Sequence, residues 1–305
     1  MTNNIVGGRS LSPVFHPLTL ILIMLSSSFL AGIFSFVRIA DLSHTDESNT
    51  QVLPNILLIV ADDLGYNDIS TFNAQGIFTP SIDELAQNAR VFTRFYADTI
   101  CSPSRVSLLT GRDPQRSGFT PNGLGIPEEW TTLPEALGAA GYQTKLVGKW
   151  HAGTTHRRSW PDRHGFGSWF GFLDQWRTAV PADQFPNQDK PTYHDPWLQE
   201  DGSLPTQHRG HLTDILLEES RRFIQSQADK NRPWFLYHAF LAPHNPIQPS
   251  AEFASRFDPT PEGRYRALVT QLDEAVGALL QTLDATGNRR NTLVVFLSDN
   301  GGTNE

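Results

Sequence analysis

The chain has 305 residues, of which 39% are hydrophobic and 18% are charged, and its formal net charge is −8 at neutral pH. Such a composition is typical of a globular protein that forms one large domain or two. The acidic balance argues against nucleic acid as a partner, and an anionic substrate would have to be bound by local positive groups.

The N-terminal region differs from the rest of the chain. Residues 17–37 are uncharged and mostly apolar, and Arg9 and His16 precede them. A basic region before an apolar stretch predicts an export signal, and the length of this stretch also suits a membrane anchor. We expect a signal peptide or membrane anchor over residues 1–40 and a polar linker over residues 41–51. The body of the protein is then periplasmic, extracellular or lumenal, either free or tethered to a membrane.

Beyond the linker, short apolar runs alternate with longer helical patterns, as they do in α/β proteins. Runs that are apolar on both faces are typical of strands inside a mostly parallel sheet. Four such runs occupy residues 55–60, 143–147, 234–241 and 292–297. We predict an α/β fold in which a large, mostly parallel central sheet carries helices on both faces.

Helix signals lie between the predicted strands. Ser81 and Glu84 have the spacing of a capping box, which predicts a helix N-terminus. Thr132 and Glu135 repeat that spacing and predict a second one. Leucines recur at helical intervals over residues 264–287, which indicates a helix that packs in the core.

Residues 154–210 are rich in Pro, Trp, His and Asp and have no sustained period. Such a segment is typical of a long irregular insertion that walls a pocket. Its tryptophans would either stack on sugar rings or pack internally, and the sequence leaves both alternatives open. They are Trp160, Trp169, Trp176 and Trp197.

Each of the four predicted strands is followed directly by chemically active side chains. In open α/β sheets, ligands bind outside the carboxyl ends of the strands, so these side chains are expected to form one site. In strand order they are Asp62 and Asp63, then Lys149 and His151, then His244, and finally Asp299 and Asn300.

The acidic members of this set predict a metal centre. Three carboxylates and an amide that converge without a cation would repel one another. An all-oxygen ligand set suits a hard divalent ion, so we predict Ca²⁺, with Mg²⁺ as the second choice. Zinc is disfavoured because carboxylates, rather than histidine or thiolate, dominate. The predicted ligands are Asp62, Asp63, Asp299 and Asn300.

Cys101 is the only cysteine of the chain. Ser102 and Pro103 predict the N-cap and first residue of a helix, so Cys101 lies just before a helix N-terminus. The helix dipole and free amides there favour an anion, and Arg105 lies about one turn into the helix. From these residues alone, Cys101 is either a small buried side chain, a thiol nucleophile, or part of an anion-handling centre with a metal.

The stretch from Cys101 to Arg112, "CSPSRVSLLTGR", resembles the signature of the type I sulfatases, the arylsulfatase family of the alkaline phosphatase superfamily. The resemblance continues through "ADDLGYND", "GYQTKLVGKWH", "GFGSWFGFL" and "SDNGG". It implies a sulfatase catalytic domain over residues 52–305 with an alkaline-phosphatase-like sheet. The implied activity is hydrolysis of aryl or carbohydrate sulfate esters on a small molecule or glycan.

The resemblance also implies that Cys101 is converted to formylglycine by a formylglycine-generating enzyme, which would read Pro103 and Arg105. One hydroxyl of the hydrated aldehyde, activated by the metal and Asp299, would attack sulfur. The alcohol would leave, and the second hydroxyl, deprotonated by His151, would expel sulfate.

The same resemblance implies roles for the remaining residues. Arg105 and Lys149 would hold the diol and sulfate oxygens, and His244 would contact the sulfate and protonate the leaving oxygen. The implied Ca²⁺ ligands are Asp62, Asp63, the modified residue 101, Asp299 and Asn300.

The chain departs from the sulfatase pattern at its C-terminus. Sulfatases carry a further lysine and a smaller C-terminal domain beyond "DNGG", whereas this chain stops at Glu305. We therefore expect a truncated chain whose catalytic domain is incomplete and whose sheet has an unfinished edge. The alternatives are a phosphonate or phosphodiester hydrolase of the same superfamily, an inactive truncated binding protein, and a thiol hydrolase.

Overall fold

The computed structural model describes residues 53–119, 125–154, 156–174 and 193–302. The predicted signal or anchor, the linker and Trp176 lie outside these residues. In the described part of the chain, no helix combines the length and the apolar character that a membrane crossing requires.

The described residues form a seven-stranded sheet with the order β5-β4-β3-β2-β6-β1-β7. In chain order the strands are β1 (Asn55–Asp62), β2 (Gln143–Lys149), β3 (Ser168–Phe172), β4 (Trp197–Glu200), β5 (Thr206–Gln207), β6 (Trp234–Pro243) and β7 (Thr292–Ser298). The pairs from β3 to β7 are all parallel, whereas β4 and β5 pair antiparallel at one end. The predicted mostly parallel α/β sheet is confirmed.

The helices cover both faces of this sheet. They are α1 (Pro80–Gln87), α2 (Cys101–Thr110), α3 (Pro114–Ser117), α4 (Leu133–Ala139), α5 (Leu212–Ser226), α6 (Ala251–Ala254) and α7 (Pro261–Ala285). Successive side chains of β1 point to opposite faces. Leu57 and Ile59 pack in the cluster that contains α5 and α7, and Leu58 and Val60 pack with α2 and α4. The prediction of helices on both faces is confirmed.

The prediction of an irregular insertion over residues 154–210 is wrong in part, because β3, β4 and β5 lie among its described residues. The other described residues of this segment form turns, short 3₁₀ helices and irregular backbone. The sequence hides β3 because Gly171 interrupts a run of only five residues. The glycine is required, since a Cβ at Gly171 would lie 2.1 Å from the carbonyl oxygen of Gly148 on β2. The glycine that allows β2 and β3 to pack closely therefore interrupts the apolar pattern that would have identified β3.

The capping box predicted at Ser81 is wrong. Helix α1 begins at Pro80 with Thr79 as its N-cap, and Ser81 lies inside its first turn. The cap comes from another helix: Asp273 on α7 accepts hydrogen bonds from the backbone N–H groups of Ser81, at 3.1 Å, and Ile82, at 2.9 Å. A partner so distant in sequence leaves no local signal.

The other two predicted helix starts have different outcomes. Thr132 and Glu135 form the expected capping box at the start of α4. Helix α2 begins at Cys101 with Ile100 as its N-cap, so Ser102 is not the cap. Residue 101 is therefore the first residue of the helix rather than the residue before it.

Candidate active site

The carboxyl ends of four adjacent parallel strands meet at one edge of the sheet. The strands are β2, β6, β1 and β7, in that order. The structure brings all seven side chains predicted from the strand ends to this edge, and all of them are buried. They are Asp62, Asp63, Lys149, His151, His244, Asp299 and Asn300.

Cys101 faces this group from the first turn of α2. Its Sγ lies 3.7 Å from Oδ1 of Asp63, and its side chain is buried. Burial raises the pKa of the Cys101 thiol well above its ordinary value, and the negative charges of Asp62 and Asp299 add to the increase against the opposing effect of Lys149. The raised pKa favours a protonated thiol despite its place at a helix N-terminus.

Arg105 connects α2 to two strand ends. Its Nε donates to Oδ2 of Asp299 at 2.9 Å, and its Nη2 lies 2.8 Å from the same oxygen. Its Nη1 donates to the backbone carbonyl oxygen of Lys149 at 2.9 Å. The guanidinium is fully buried, so α2, β2 and β7 are held together by one charge-assisted network.

Lys149 forms the second buried ion pair. Its Nζ lies 2.5 Å from Oδ2 of Asp62, and neither side chain is exposed. Burial alone would raise the pKa of Asp62, but the charges of Lys149 and Arg105 hold that pKa below its ordinary value. Asp62 is therefore ionised at the end of β1.

The three carboxyl groups of the site outnumber its two basic side chains, Arg105 and Lys149. Burial and the negative charge of Asp62 raise the pKa of Asp299 to about 6, although Arg105 opposes the increase. In addition, Oδ1 of Asp62 and Oδ1 of Asn300 are buried without a hydrogen-bond partner among the described residues. Excess carboxylate charge and unpartnered oxygen atoms are what a hard cation would satisfy, so the residues fit a divalent ion of this kind.

Possible metal-binding atoms lie close together. Asp62, Asp63, Cys101 and His244 each offer one such atom, and these four atoms lie within 4.8 Å of one another. Three of these residues are predicted ligands. His244, expected to contact sulfate, was not predicted in this group, and its Nε2 lies 3.6 Å from Oδ2 of Asp63.

The two predicted ligands that follow β7 both form hydrogen bonds with Asp63. Asn300 donates from Nδ2 to Oδ1 of Asp63 at 2.5 Å, and its own Oδ1 has no hydrogen-bond partner among the described residues. Asp299 accepts from the backbone N–H of Asp63 at 3.3 Å and from Arg105. Asp299 therefore pairs with the arginine in this structure.

Two site residues adopt the left-handed backbone conformation. Asp63 has φ 63° and His151 has φ 48°, and each follows the end of its strand by one or two residues. This region is uncommon for residues other than glycine, and such backbone strain concentrates at functional sites. The turns carry Asp63 and His151 away from the strand direction and into the site.

His151 carries a neutral imidazole. Burial lowers the pKa of its imidazole far below the ordinary value, and the nearby charges of Lys149 and Arg105 lower it further. Its Nε2 lies 3.5 Å from Oδ1 of Asp174, a residue that sequence reasoning missed. The only signal for Asp174 would have been its position just beyond β3, which was itself not predicted.

The tryptophans of residues 154–210 serve mainly in packing where the structure describes them. Trp169 is fully buried, and Trp160 packs against it edge-on with ring centroids 6.1 Å apart. Trp197 has 36% of its surface exposed. Trp197 is thus the most exposed of these three, and sugar stacking by it stays a prediction.

Comparison with known proteins identifies the family. The sulfatase family model matches residues 54–305. The chain belongs to the sulfatase family. The resemblance of "CSPSRVSLLTGR" and the other motifs to the sulfatases is thereby confirmed.

Sulfatases of two kinds are among its curated relatives. N-acetylgalactosamine-6-sulfatase of Rattus norvegicus is 37% identical over 269 residues, which cover 81% of this chain and 50% of that protein. Arylsulfatase A of Homo sapiens is 33% identical over 277 residues, which cover 81% of this chain and 52% of that protein. The chain spans about half the length of these relatives.

Solved structures have the same fold. The crystal structure of Ps i-CgsB is 33% identical to this chain with a TM-score of 0.73, and the match covers 82% of this chain and 59% of that one. The same protein is known in complex with k-i-k-neocarrahexaose. The α/β architecture is therefore that of the sulfatases.

Proposed function

We propose that this chain is the catalytic part of a sulfate-ester hydrolase that uses a formylglycine made from Cys101 and a Ca²⁺ ion. The observation that carries the proposal is the arrangement around residue 101. Four strand ends bring the buried Lys149, two histidines and an oxygen-rich acidic cluster to the first turn of α2, which itself contributes the buried Arg105. Membership of the sulfatase family supports the same chemistry.

Arg105 and Lys149 would bind the anionic sulfate. Both are fully buried, and a charge in such a site acts more strongly on a ligand than it does in water. In this acidic protein they supply the local positive potential that an anionic substrate needs. Each is held in place by a carboxylate, Arg105 by Asp299 and Lys149 by Asp62.

The acidic cluster would hold Ca²⁺ through Asp62, Asp63, Asp299 and Asn300 together with the modified residue 101. When bound, the ion would supply positive charge that neutralises the carboxylates and polarises the sulfate group. The hydrated aldehyde of formylglycine would supply one hydroxyl for attack on sulfur and a second for release of the sulfate.

The two histidines would move protons. His151 is buried and neutral, so it is able to accept a proton from a hydroxyl of residue 101. His244 lies at the end of β6, and its Nε2 faces Asp63 at 3.6 Å. It would contact the sulfate and donate a proton to the leaving oxygen.

The substrate class we propose is a sulfated glycan or a small sulfate ester. The name of the relative N-acetylgalactosamine-6-sulfatase and the neocarrahexaose complex of Ps i-CgsB support a carbohydrate. We further propose that the protein is exported, with residues 1–40 as signal or anchor, and that a formylglycine-generating enzyme is its partner.

The test uses the full chain made in a host that contains a formylglycine-generating enzyme, with Cys101→Ala as the matched control. Mass spectrometry of the peptide containing residue 101 should show sulfur replaced by an aldehyde oxygen. We expect Ca²⁺-dependent hydrolysis of an aryl sulfate and a sugar sulfate in the wild type and none in Cys101→Ala. An intact thiol, or faster cleavage of a matched phosphodiester than of the sulfate, would refute the proposal.

A further inference from the structure

The backbone pairing of β2 and β3 continues beyond the ends of both strands. The N–H of Trp150 donates to the carbonyl oxygen of Phe172 at 3.0 Å, and the N–H of His151 donates to that of Leu173 at 3.1 Å. The residue after Leu173 is Asp174, so the register of the two strands places this carboxylate beside the imidazole of His151. The contact is thus fixed by the sheet and not by a mobile side chain alone.

The two nitrogen atoms of the His151 ring have different surroundings. Nε2 lies 3.5 Å from Oδ1 of Asp174. Nδ1 is buried and has no hydrogen-bond partner among the described residues. Besides burial, the groups that lower the pKa of the ring are Lys149, Arg105 and His244, and none of them is a carboxylate. Asp174 is therefore the acceptor placed to receive an N–H of His151.

We propose that Asp174 is a positioning residue that fixes the tautomer of His151, accepting its Nε2–H so that Nδ1 is the proton acceptor of the site. This inference rests on the proposed function, in which His151 takes a proton from residue 101. In that step the O–H bond of a hydroxyl breaks and an Nδ1–H bond forms. The electron pair of the O–H bond stays on oxygen, and the imidazole becomes a cation.

Asp174 matters twice in this step. A neutral imidazole exists as two tautomers, and only the tautomer without a proton on Nδ1 is able to accept a proton at that nitrogen. The carboxylate also stabilises the imidazolium that forms, which offsets the effect of burial and of Lys149 and Arg105. The separation of 3.5 Å exceeds an ordinary N–H···O distance, but catalytic hydrogen bonds are often long without substrate and shorten in the complex.

Asp174 is suited to substitution because 35% of its side chain is exposed, whereas only 1% of His151 is. Removing its carboxylate should leave the sheet intact. Asp229 on the surface after α5 is an exposed aspartate that offers a matched control. Asp174→Ala and Asp174→Ser are the test variants, and Asp229→Ala is the control.

The first readout is the tautomer of His151, measured by NMR on the full chain with ¹⁵N-labelled histidine. The signal of His151 is identified by its loss in His151→Gln. We expect a protonated Nε2 and an unprotonated Nδ1 in the wild type and in Asp229→Ala, and a mixture of tautomers in Asp174→Ala and Asp174→Ser. A protonated Nδ1 in the wild type, or an unchanged tautomer in both Asp174 variants, would overturn the proposal.

The second readout is turnover of a sulfate ester by the modified, Ca²⁺-loaded chain. We expect kcat to fall about 10- to 100-fold in Asp174→Ala with KM within about twofold, because groups that orient a site residue have effects of this size. An unchanged kcat would contradict the inference. Absence of turnover in the wild type would contradict the proposed function instead, and the NMR readout would still decide the role of Asp174.

Discussion

At the scale of single residues, the stability of this site depends on charges that have been removed from water. Arg105 is fully buried and is the partner of Asp299, while Asp62 lies 3.6 Å from its Nη2. Removing one partner of a buried ion pair leaves the other charge uncompensated. The energetic role of Arg105 is thus larger than that of any arginine on the surface.

We predict that Arg105→Ala lowers the free energy of unfolding by about 3–5 kcal/mol, because Asp299 and Asp62 lose their buried counter-charge. Arg116→Ala is the control, since 83% of the Arg116 side chain is exposed. It should change the free energy of unfolding by less than about 0.5 kcal/mol. Urea denaturation of both variants measures the difference, and equal losses would contradict the prediction.

A second residue-scale prediction concerns His238, which lies on β6 with no exposed surface. Its Nδ1 lies 2.5 Å from Oγ of Ser220, and burial lowers its pKa to about 3. The folded ring therefore stays neutral, whereas the unfolded ring takes up a proton below about pH 6.5. The resulting stabilisation is complete above that pH and is lost as the pH falls towards 3.

From about pH 8 to about pH 5, His238 should reduce the free energy of unfolding by about 2 kcal/mol. His238→Asn removes the titrating ring, so the pH dependence of its stability should be weaker by that amount. Chemical denaturation at the two pH values measures both proteins. The same pH dependence in wild type and variant would show that His238 is not responsible.

At the scale of elements, helix α1 depends on a residue of α7. The first N–H groups of a helix have no partner within it, and Asp273 accepts hydrogen bonds from two of them. Asp273 is itself almost completely buried. This contact fixes α1 against α7 on one face of the sheet.

Asp273→Ala should therefore lower the free energy of unfolding by about 1–3 kcal/mol, since two buried donors lose their acceptor. Asp284→Ala, on the exposed face of the same helix, should have an effect below about 0.5 kcal/mol. Thermal or urea unfolding compares the two. A small effect of Asp273→Ala would mean that water replaces the cap at no cost.

The same elements show which features of the fold and the site could be predicted from the sequence. The four strands and the side chains at their ends could be predicted, because apolar runs and strand ends are local signals. The prediction that all four strands are buried is wrong for β7, which is a half-exposed strand at the edge of the described sheet. The cap from Asp273 could not, since 192 positions separate it from Ser81. Asp174 could not either, because it reaches His151 only through the pairing of β2 with β3, and Gly171 hides β3.

At the scale of the whole molecule, the parallel sheet collects acidic groups that are far apart in sequence. Asp62 is the last residue of β1 and Asp63 follows it, while Asp299 and Asn300 follow β7, so the cluster exists only when β1 and β7 are paired. A cation that binds this cluster binds the folded chain and not the unfolded one. By linkage, its binding free energy adds to the stability of the entire sheet.

We therefore predict that Ca²⁺ raises the unfolding temperature of the chain relative to the chelated protein, and more so than Mg²⁺. At a free Ca²⁺ concentration of about 100 times the dissociation constant, the free energy of unfolding should increase by about 2.7 kcal/mol. This stabilisation should be strongly reduced in Asp63→Asn, which removes a charged ligand, and retained in the exposed variant Asp229→Asn.

The stabilisation by Ca²⁺ should also decrease below about pH 6, because the pKa of Asp299 is raised to about 6 and protons then compete with the ion for its carboxylate. Calorimetry with Ca²⁺, with Mg²⁺ and with chelator measures these effects. An unfolding temperature that no divalent ion changes, or that Ca²⁺ raises equally in Asp63→Asn, would contradict the proposed metal centre.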